Sequence, residues 1–332
     1  MRKNILRFVI IAAAIVMVPI LALTWGDNGH MLINRTAVEK IPADMPQFLK
    51  AGESHIVYNG PEPDRWRSNL EKTLAEENAP DHFIDLEYVD WMKQLPEDRY
   101  TYIREIYQYK AKHPDADVPG PEKIGFQPYA AIEVFDRLKV AFREYRHAQK
   151  AGRSTADAEA NALFYAGWLG HYVGDGANPM HTSIQYNGWV GPNPNGYTTS
   201  HDIHYKFESG FVNQNLDDLK IDNMVSAPKL LENPFQDYVA YLRQSQSKVE
   251  EAYALDKQCA FDGRGTAAGR EFVRQRLASG AQMLLNMWYT AWVDSAQEPE
   301  PYHPPKSPKH ETKPCQPSPG NPPAKDAKTQ TR

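Results

Sequence analysis

The chain has 332 residues, 37 Lys+Arg against 42 Asp+Glu for a net charge of −5, and 41% hydrophobic residues. An acidic balance does not steer polyanions by net charge, a mild argument against general nucleic-acid binding. Two cysteines, Cys259 and Cys315, allow at most one disulfide, which would pin the tail to the body; whether it forms is not written in the sequence.

The first 24 residues carry Arg2, Lys3 and Arg7, then an apolar run from Phe8 to Leu23, and read as a secretory signal peptide cleaved before Trp25. The alternative is an uncleaved membrane anchor, for which the apolar run is slightly short. Cleavage would leave 34 of the 37 Lys+Arg and a charge of −8, and would place the protein outside the cell or in the periplasm. From Trp25 to Ala296 the apolar residues recur at helical spacing. The spacing predicts helices over 97–112, with Tyr100, Ile103, Ile106 and Tyr107 on one face, and over 129–147, with Ile132, Phe135, Leu138 and Phe142 on one face. Further helices are expected over 161–175, 235–255 and 266–293. No segment alternates at period two, and there is no repeat or glycine-rich phosphate loop. The expectation is one all-α domain over 25–296. Residues 297–332 hold 10 of the 26 prolines, several lysines and almost nothing apolar, and read as a disordered or extended tail.

Four stretches bring together side chains that ligate metals. In the run Gly170-His171-Tyr172-Val173-Gly174-Asp175, His171 and Asp175 share a helix face at i, i+4. The Asn178-Pro179 turn then ends the helix and returns His181 toward them. Imidazole and carboxylate converging in this way form a zinc-type donor set, although a capped helix with a hydrogen-bonded His–Asp pair has the same pattern. His204 and Glu208 make a second i, i+4 pair. His82 sits in Asp81-His82-Phe83-Ile84-Asp85, and Asp64 in Pro63-Asp64-Arg65-Trp66-Arg67. Each of these alone is matched by a routine structural explanation. Trp25 tips the balance. As a new N-terminus its α-amine, with a pKa near ~7.7–8.0, could lose its proton to a metal; amine and carbonyl would then chelate, with His30 adding an imidazole.

The run Trp25-Gly-x-x-Gly-His30, then Asp64, His82-Phe-Ile-Asp85, His171-x-x-x-Asp175, His181 and His204-x-x-x-Glu208, resembles the zinc-dependent phospholipase C and single-strand-specific nuclease superfamily in order and spacing over about Trp25 to Val212. The resemblance implies that family's helical bundle and three zinc ions. One ion would take Asp64, His82, His171 and Asp175. A second, bridged by Asp175, would take Trp25 and His30, and a third His181, His204 and Glu208. It further implies a zinc-dependent phosphodiester hydrolase in which a hydroxide shared between two zinc ions attacks phosphorus. Asp175 would serve as the bridge, and Asp64 chiefly as a ligand that can also orient water.

The substrate branch rests on finer features. Glu208 within His-Tyr-Lys-Phe-Glu looks like the phospholipase C branch, the preferred reading. The Trp25 start and the spacing from His181 to His204 look like the nucleases, the alternative. Phe83, Tyr186 and Trp189, with Tyr197, are candidate contacts for a lipid headgroup or a stacked base of single-stranded nucleic acid, or else packing residues of the 182–203 loop. A catalytically inactive zinc-binding surface protein is the third reading. His201 could compete with His204 as a ligand but lacks a carboxylate four residues on. No stable protein partner is expected, and the protein should be a monomer.

Overall fold

The helical patterning resolves into six helices of more than ten residues in a computed structural model that describes residues 25–300. They are α1 (Gly26–Glu39), α2 (Arg99–Lys112), α3 (Gln127–Lys150), α4 (Ala156–Ala177), α5 (Pro234–Gln246) and α6 (Ala267–Asp294). Shorter helical turns join them, no strand occurs among the described residues, and the one bridge, Tyr186 with Gly188, is isolated. The architecture is all-α. The chain divides into a unit ending at Ala296 and a second, Gln297–Arg332, of which residues 297–300 have no regular structure. The expected signal peptide, residues 1–24, and residues 301–332 of the expected tail lie outside the described residues, as does Cys315. No helix among the described residues is long and apolar enough to cross a membrane.

The ends of these helices follow from local side-chain chemistry. Asp98, Asn233 and Thr266 each accept a hydrogen bond from a backbone N–H in the first turn of α2, α5 and α6, satisfying donors that a helix start leaves open. Two sequence expectations need correction. The buried stripe of α2 is Tyr102 and Ile106 with Ile103 partly covered, whereas Tyr100 and Tyr107 are exposed. Tyrosines tolerate water through their hydroxyl, so counting them as apolar rotated the inferred face. The segment 235–255 is two helices, α5 and Val249–Asp256. The Ser247 hydroxyl donates to the carbonyl of Gln244 at 2.6 Å, and such local bonds compete with the helical ladder.

Helix α4 packs against α1, α3, α5 and α6. Its C-terminal half, Leu169 to Ala177, is buried continuously, the pattern of a helix enclosed on all sides. Small residues let neighbours reach its backbone. A Cβ on Gly170 would stand 1.8 Å from Asn34 Oδ1. Asn34 cannot retreat freely, because its Nδ2 donates to the carbonyls of Ile56 at 2.9 Å and Gly167 at 3.1 Å. Gly170→Ala is therefore expected to destabilise by about 2–3 kcal/mol in chemical unfolding, and a loss below about 1 kcal/mol would mean that α1 can shift away.

Candidate metal centre

Helix α4 carries His171 and Asp175 one turn apart, both fully buried. Asn178 ends the helix with an extended backbone, and its side chain accepts from Met180 N–H to start the short turn Pro179–His181. That turn brings His181 back toward Asp175, with His181 Nδ1 3.9 Å from Asp175 Oδ2. The turns Glu62–Arg65 and Ala79–His82 deliver Asp64 and His82, and α1 delivers His30. His204 lies on Ile203–Tyr205, which runs directly into the π-helical turn Lys206–Gly210 carrying Glu208.

Asp175 is the hub. Its Oδ1 lies 3.4 Å from His30 Nε2, and its Oδ2 lies 3.2 Å from His82 Nδ1 and 3.4 Å from His171 Nε2. Asp64 Oδ1 completes this group at 3.8 Å from His82 Nδ1 and 3.9 Å from His171 Nε2. The second group is tighter. Glu208 Oε1 is 3.1 Å from His181 Nε2, Glu208 Oε2 is 3.0 Å from His204 Nε2, and the two imidazole nitrogens are 3.1 Å apart. Three sets of donor atoms could each hold a metal ion: His30, Asp64 and His171; His82, His171 and Asp175; His181, His204 and Glu208. The first of these crosses the expected division, which gave Asp64 and His171 to one ion and His30 to another.

The donor set fits metals on two observations. His171 Nδ1 lies 2.9 Å from the carbonyl of Gly60 and His181 Nδ1 2.7 Å from that of His82. A carbonyl can only accept, so each Nδ1 carries the proton and each Nε2 presents a lone pair inward. The His171 Nε2 lone pair then faces the Asp175 Oδ2 carboxylate oxygen at 3.4 Å, a pairing of acceptors that a cation resolves. The second observation is the charge state. Burial lowers the pKa of His30 and brings those of His82 and His171 well below the ordinary imidazole value, keeping them neutral. Burial likewise pushes the Asp175 carboxyl well above its usual range. A carboxylate at this depth calls for a cation that neutral imidazoles do not supply.

Trp25 is fully buried with a left-handed backbone, φ 31°. Its indole Nε1 donates to the carbonyl of Gly174 at 2.6 Å, one residue before Asp175, and its ring meets Phe207 at 5.3 Å. The indole thus anchors the start of the body to the metal-bearing end of α4. Asn178 Nδ2 donates to Glu208 Oε1 at 2.9 Å, so one residue both shapes the His181 turn and orients the glutamate.

Above the donors lies a cavity of about 470 Å³, within the range of small-molecule sites. His82, His181, His204 and Glu208 line it together with Phe83 and Tyr186, as do Arg67, Asp85, Lys123, Asn187, His201 and Tyr205. Two of the three expected substrate contacts, Phe83 and Tyr186, are therefore on its wall. Trp189 is not among the lining residues. Its ring packs on Tyr197 at 4.7 Å and Tyr253 at 5.2 Å, and its Nε1 donates to the carbonyl of Pro192. Trp189 and Tyr197 hold the 182–203 loop, because aromatic area buries best against other rings.

Sequence reasoning passed over Arg67, Asp85, Lys123 and Asn187. Two had a signal. Arg67 is three residues beyond Asp64, just past the helical turn that carries it, with its guanidinium 3.6 Å from Asp64 Oδ1, and Asp85 follows His82-Phe83 closely. Lys123, on the short helical turn Pro121–Ile124, and Asn187, in the 182–203 loop, come from distant parts of the chain and had none. Burial and the neighbouring Glu87 raise the Asp85 carboxyl to about 7. Because the folded value exceeds the unfolded one, its contribution favours folding below about 4 and is lost as pH rises through 7. In metal-free protein, Asp85→Asn is expected to raise stability at pH 8 by a few kcal/mol at most, since each pH unit separating the folded from the unfolded pKa carries ~1.4 kcal/mol. The gain should fade toward pH 5, and equal melting curves at pH 8 would contradict it.

No protein-family model matches the chain, and no curated protein matches it. Among solved structures, the alpha-toxin of Clostridium perfringens from avian strain SWCP aligns at 14% identity and TM-score 0.38, over 83% of this chain and 66% of that one. The alpha toxin from Clostridium absonum aligns at 13% identity and TM-score 0.36, over 82% and 65%. The chain thus spans slightly less than two thirds of the length of either toxin.

Proposed function

We propose that this chain is an exported, zinc-dependent phosphodiester hydrolase, of phospholipase C type by preference. The observation that carries the reading is the convergence of three donor triads on and around Asp175, four of whose members, His82, His181, His204 and Glu208, line an open cavity. Zinc bound there would supply Lewis acidity, lowering the pKa of coordinated water and neutralising phosphate charge. His30, Asp64, His82, His171 and Asp175 would hold the inner ions, with the Trp25 backbone if processing frees its amine. His181, His204 and Glu208 would hold the outer one, closest to the cavity.

The chain's own groups do the rest. Arg67 places a cation beside Asp64 on the cavity wall, positioned for a non-bridging phosphate oxygen. Asn178 fixes the Glu208 carboxylate. Phe83 and Tyr186 offer ring faces to whatever the phosphate carries. Glu208 within His-Tyr-Lys-Phe-Glu supports a phospholipid substrate. A second reading, single-strand nuclease, is favoured by the cations Arg67 and Lys123 together with Asp85 and Asn187 beside Phe83. That wall suits a base stacked on a ring with its edge hydrogen-bonded.

The test begins with a chromogenic phosphodiester: turnover should require zinc, stop on chelation and return on zinc addition. Bound zinc without any hydrolysis would instead make this a binding protein. Parallel assays on phosphatidylcholine vesicles and single-stranded DNA or RNA then assign the branch, and release from nucleic acid alone would overturn the phospholipase reading.

A further inference from the structure

A second groove, of about 430 Å³, runs between α5 and α6 and shares no lining residue with the metal cavity. Arg276 of α6 lines it and is 6% exposed. Its Nε and Nη1 are buried without a hydrogen-bond partner, and no carboxylate among the described residues forms an ion pair with it. A buried guanidinium with donors unmatched is costly, and native proteins seldom leave one so. Desolvation lowers its pKa, yet arginine keeps its proton in proteins. The charge therefore stays, and Glu251 acts on it through space without forming an ion pair with it.

The rest of the groove is built for a small guest. Gln244 and Ser279 line it with side chains that make no hydrogen bond elsewhere among the described residues, while Met224 and Met283 add an apolar wall. No acidic side chain lines it. We propose that this groove binds a small oxyanion, with Arg276 as its counter-charge and Gln244 and Ser279 as neutral donors. Arginine is suited to the task because its planar fork matches the oxygens of carboxylate, sulfate and phosphate groups.

Sulfate is the probe, titrated at constant ionic strength into the zinc-loaded protein while melting temperature and heat of binding are followed. The wild type should show saturable stabilisation and a calorimetric binding isotherm. Arg276→Met should weaken apparent sulfate affinity at least tenfold, and without sulfate should melt at or above the wild-type temperature, since an uncompensated buried charge has been removed. Ser279→Leu, which leaves Arg276 in place and narrows the groove, should also weaken binding. Non-saturable stabilisation of equal size in all three proteins is the general salting effect of sulfate and overturns the proposal. So does a lower melting temperature for Arg276→Met in sulfate-free buffer, or unchanged binding in Ser279→Leu.

Discussion

Asp175→Asn is expected to reduce phosphodiester turnover by at least about 10³-fold and to cut bound zinc by about two equivalents, measured by elemental analysis. The substitution keeps size and shape while removing the charge at the hub. His30, His82 and His171 all approach this one carboxylate within 3.4 Å, so the inner donor group loses the anion at its centre. The stability readout should move the other way. Burial pushes the Asp175 carboxyl up, so its contribution to folding is lost as pH rises through that value. Asparagine cannot ionise, and the metal-free variant should melt no lower than the metal-free parent at pH 8. A variant that keeps full zinc and turns over within tenfold of the parent would remove Asp175 from the centre of the reading.

Stripping the metal is expected to lower the melting temperature of the parent protein by on the order of 10 °C. A ligand present at a thousand times its dissociation constant adds about 4 kcal/mol, and in a protein of this size each kcal/mol moves the melting point by roughly 2–4 °C. The loss should be large because the donors are buried in a helical core rather than displayed on a loop. His30, His171 and Asp175 are completely inaccessible, and without an ion both imidazoles stand 3.4 Å from the buried carboxyl with no metal to satisfy it. Zinc should restore the melting point and magnesium should not, since imidazole-rich sites suit zinc and magnesium prefers oxygen. An unchanged melting curve after verified metal removal would show that the centre is stable through hydrogen bonds alone.

Several features of the centre were legible in sequence because they are local. His171 and Asp175 face one way through helix periodicity. The Asn178-Pro179 turn back to His181 follows from what proline forbids to the residue before it, and His204 and Glu208 repeat the i, i+4 rule. The helical class followed from spacing in the same way, and its errors arose where spacing is a weak guide. Amphipathic tyrosines turned the face of α2, and a serine hydroxyl broke the segment 235–255.

What the one-dimensional pattern determined, then, is which residues are metal-ligand types and which neighbours share a face. The tertiary structure decided which of them meet. Asp64 reaches His171 across more than a hundred residues of chain because short turns lay it against α4, and only that packing shows His171 serving two triads. It also sent Trp189 into the loop's own aromatic cluster, brought Arg67 and Lys123 to the lining of one cavity, and left Arg276 in a groove without an ion-pair partner among the described residues. The reason is physical: helix periodicity is fixed by backbone geometry within a few residues, whereas long-range contacts depend on how buried surfaces fit together in three dimensions.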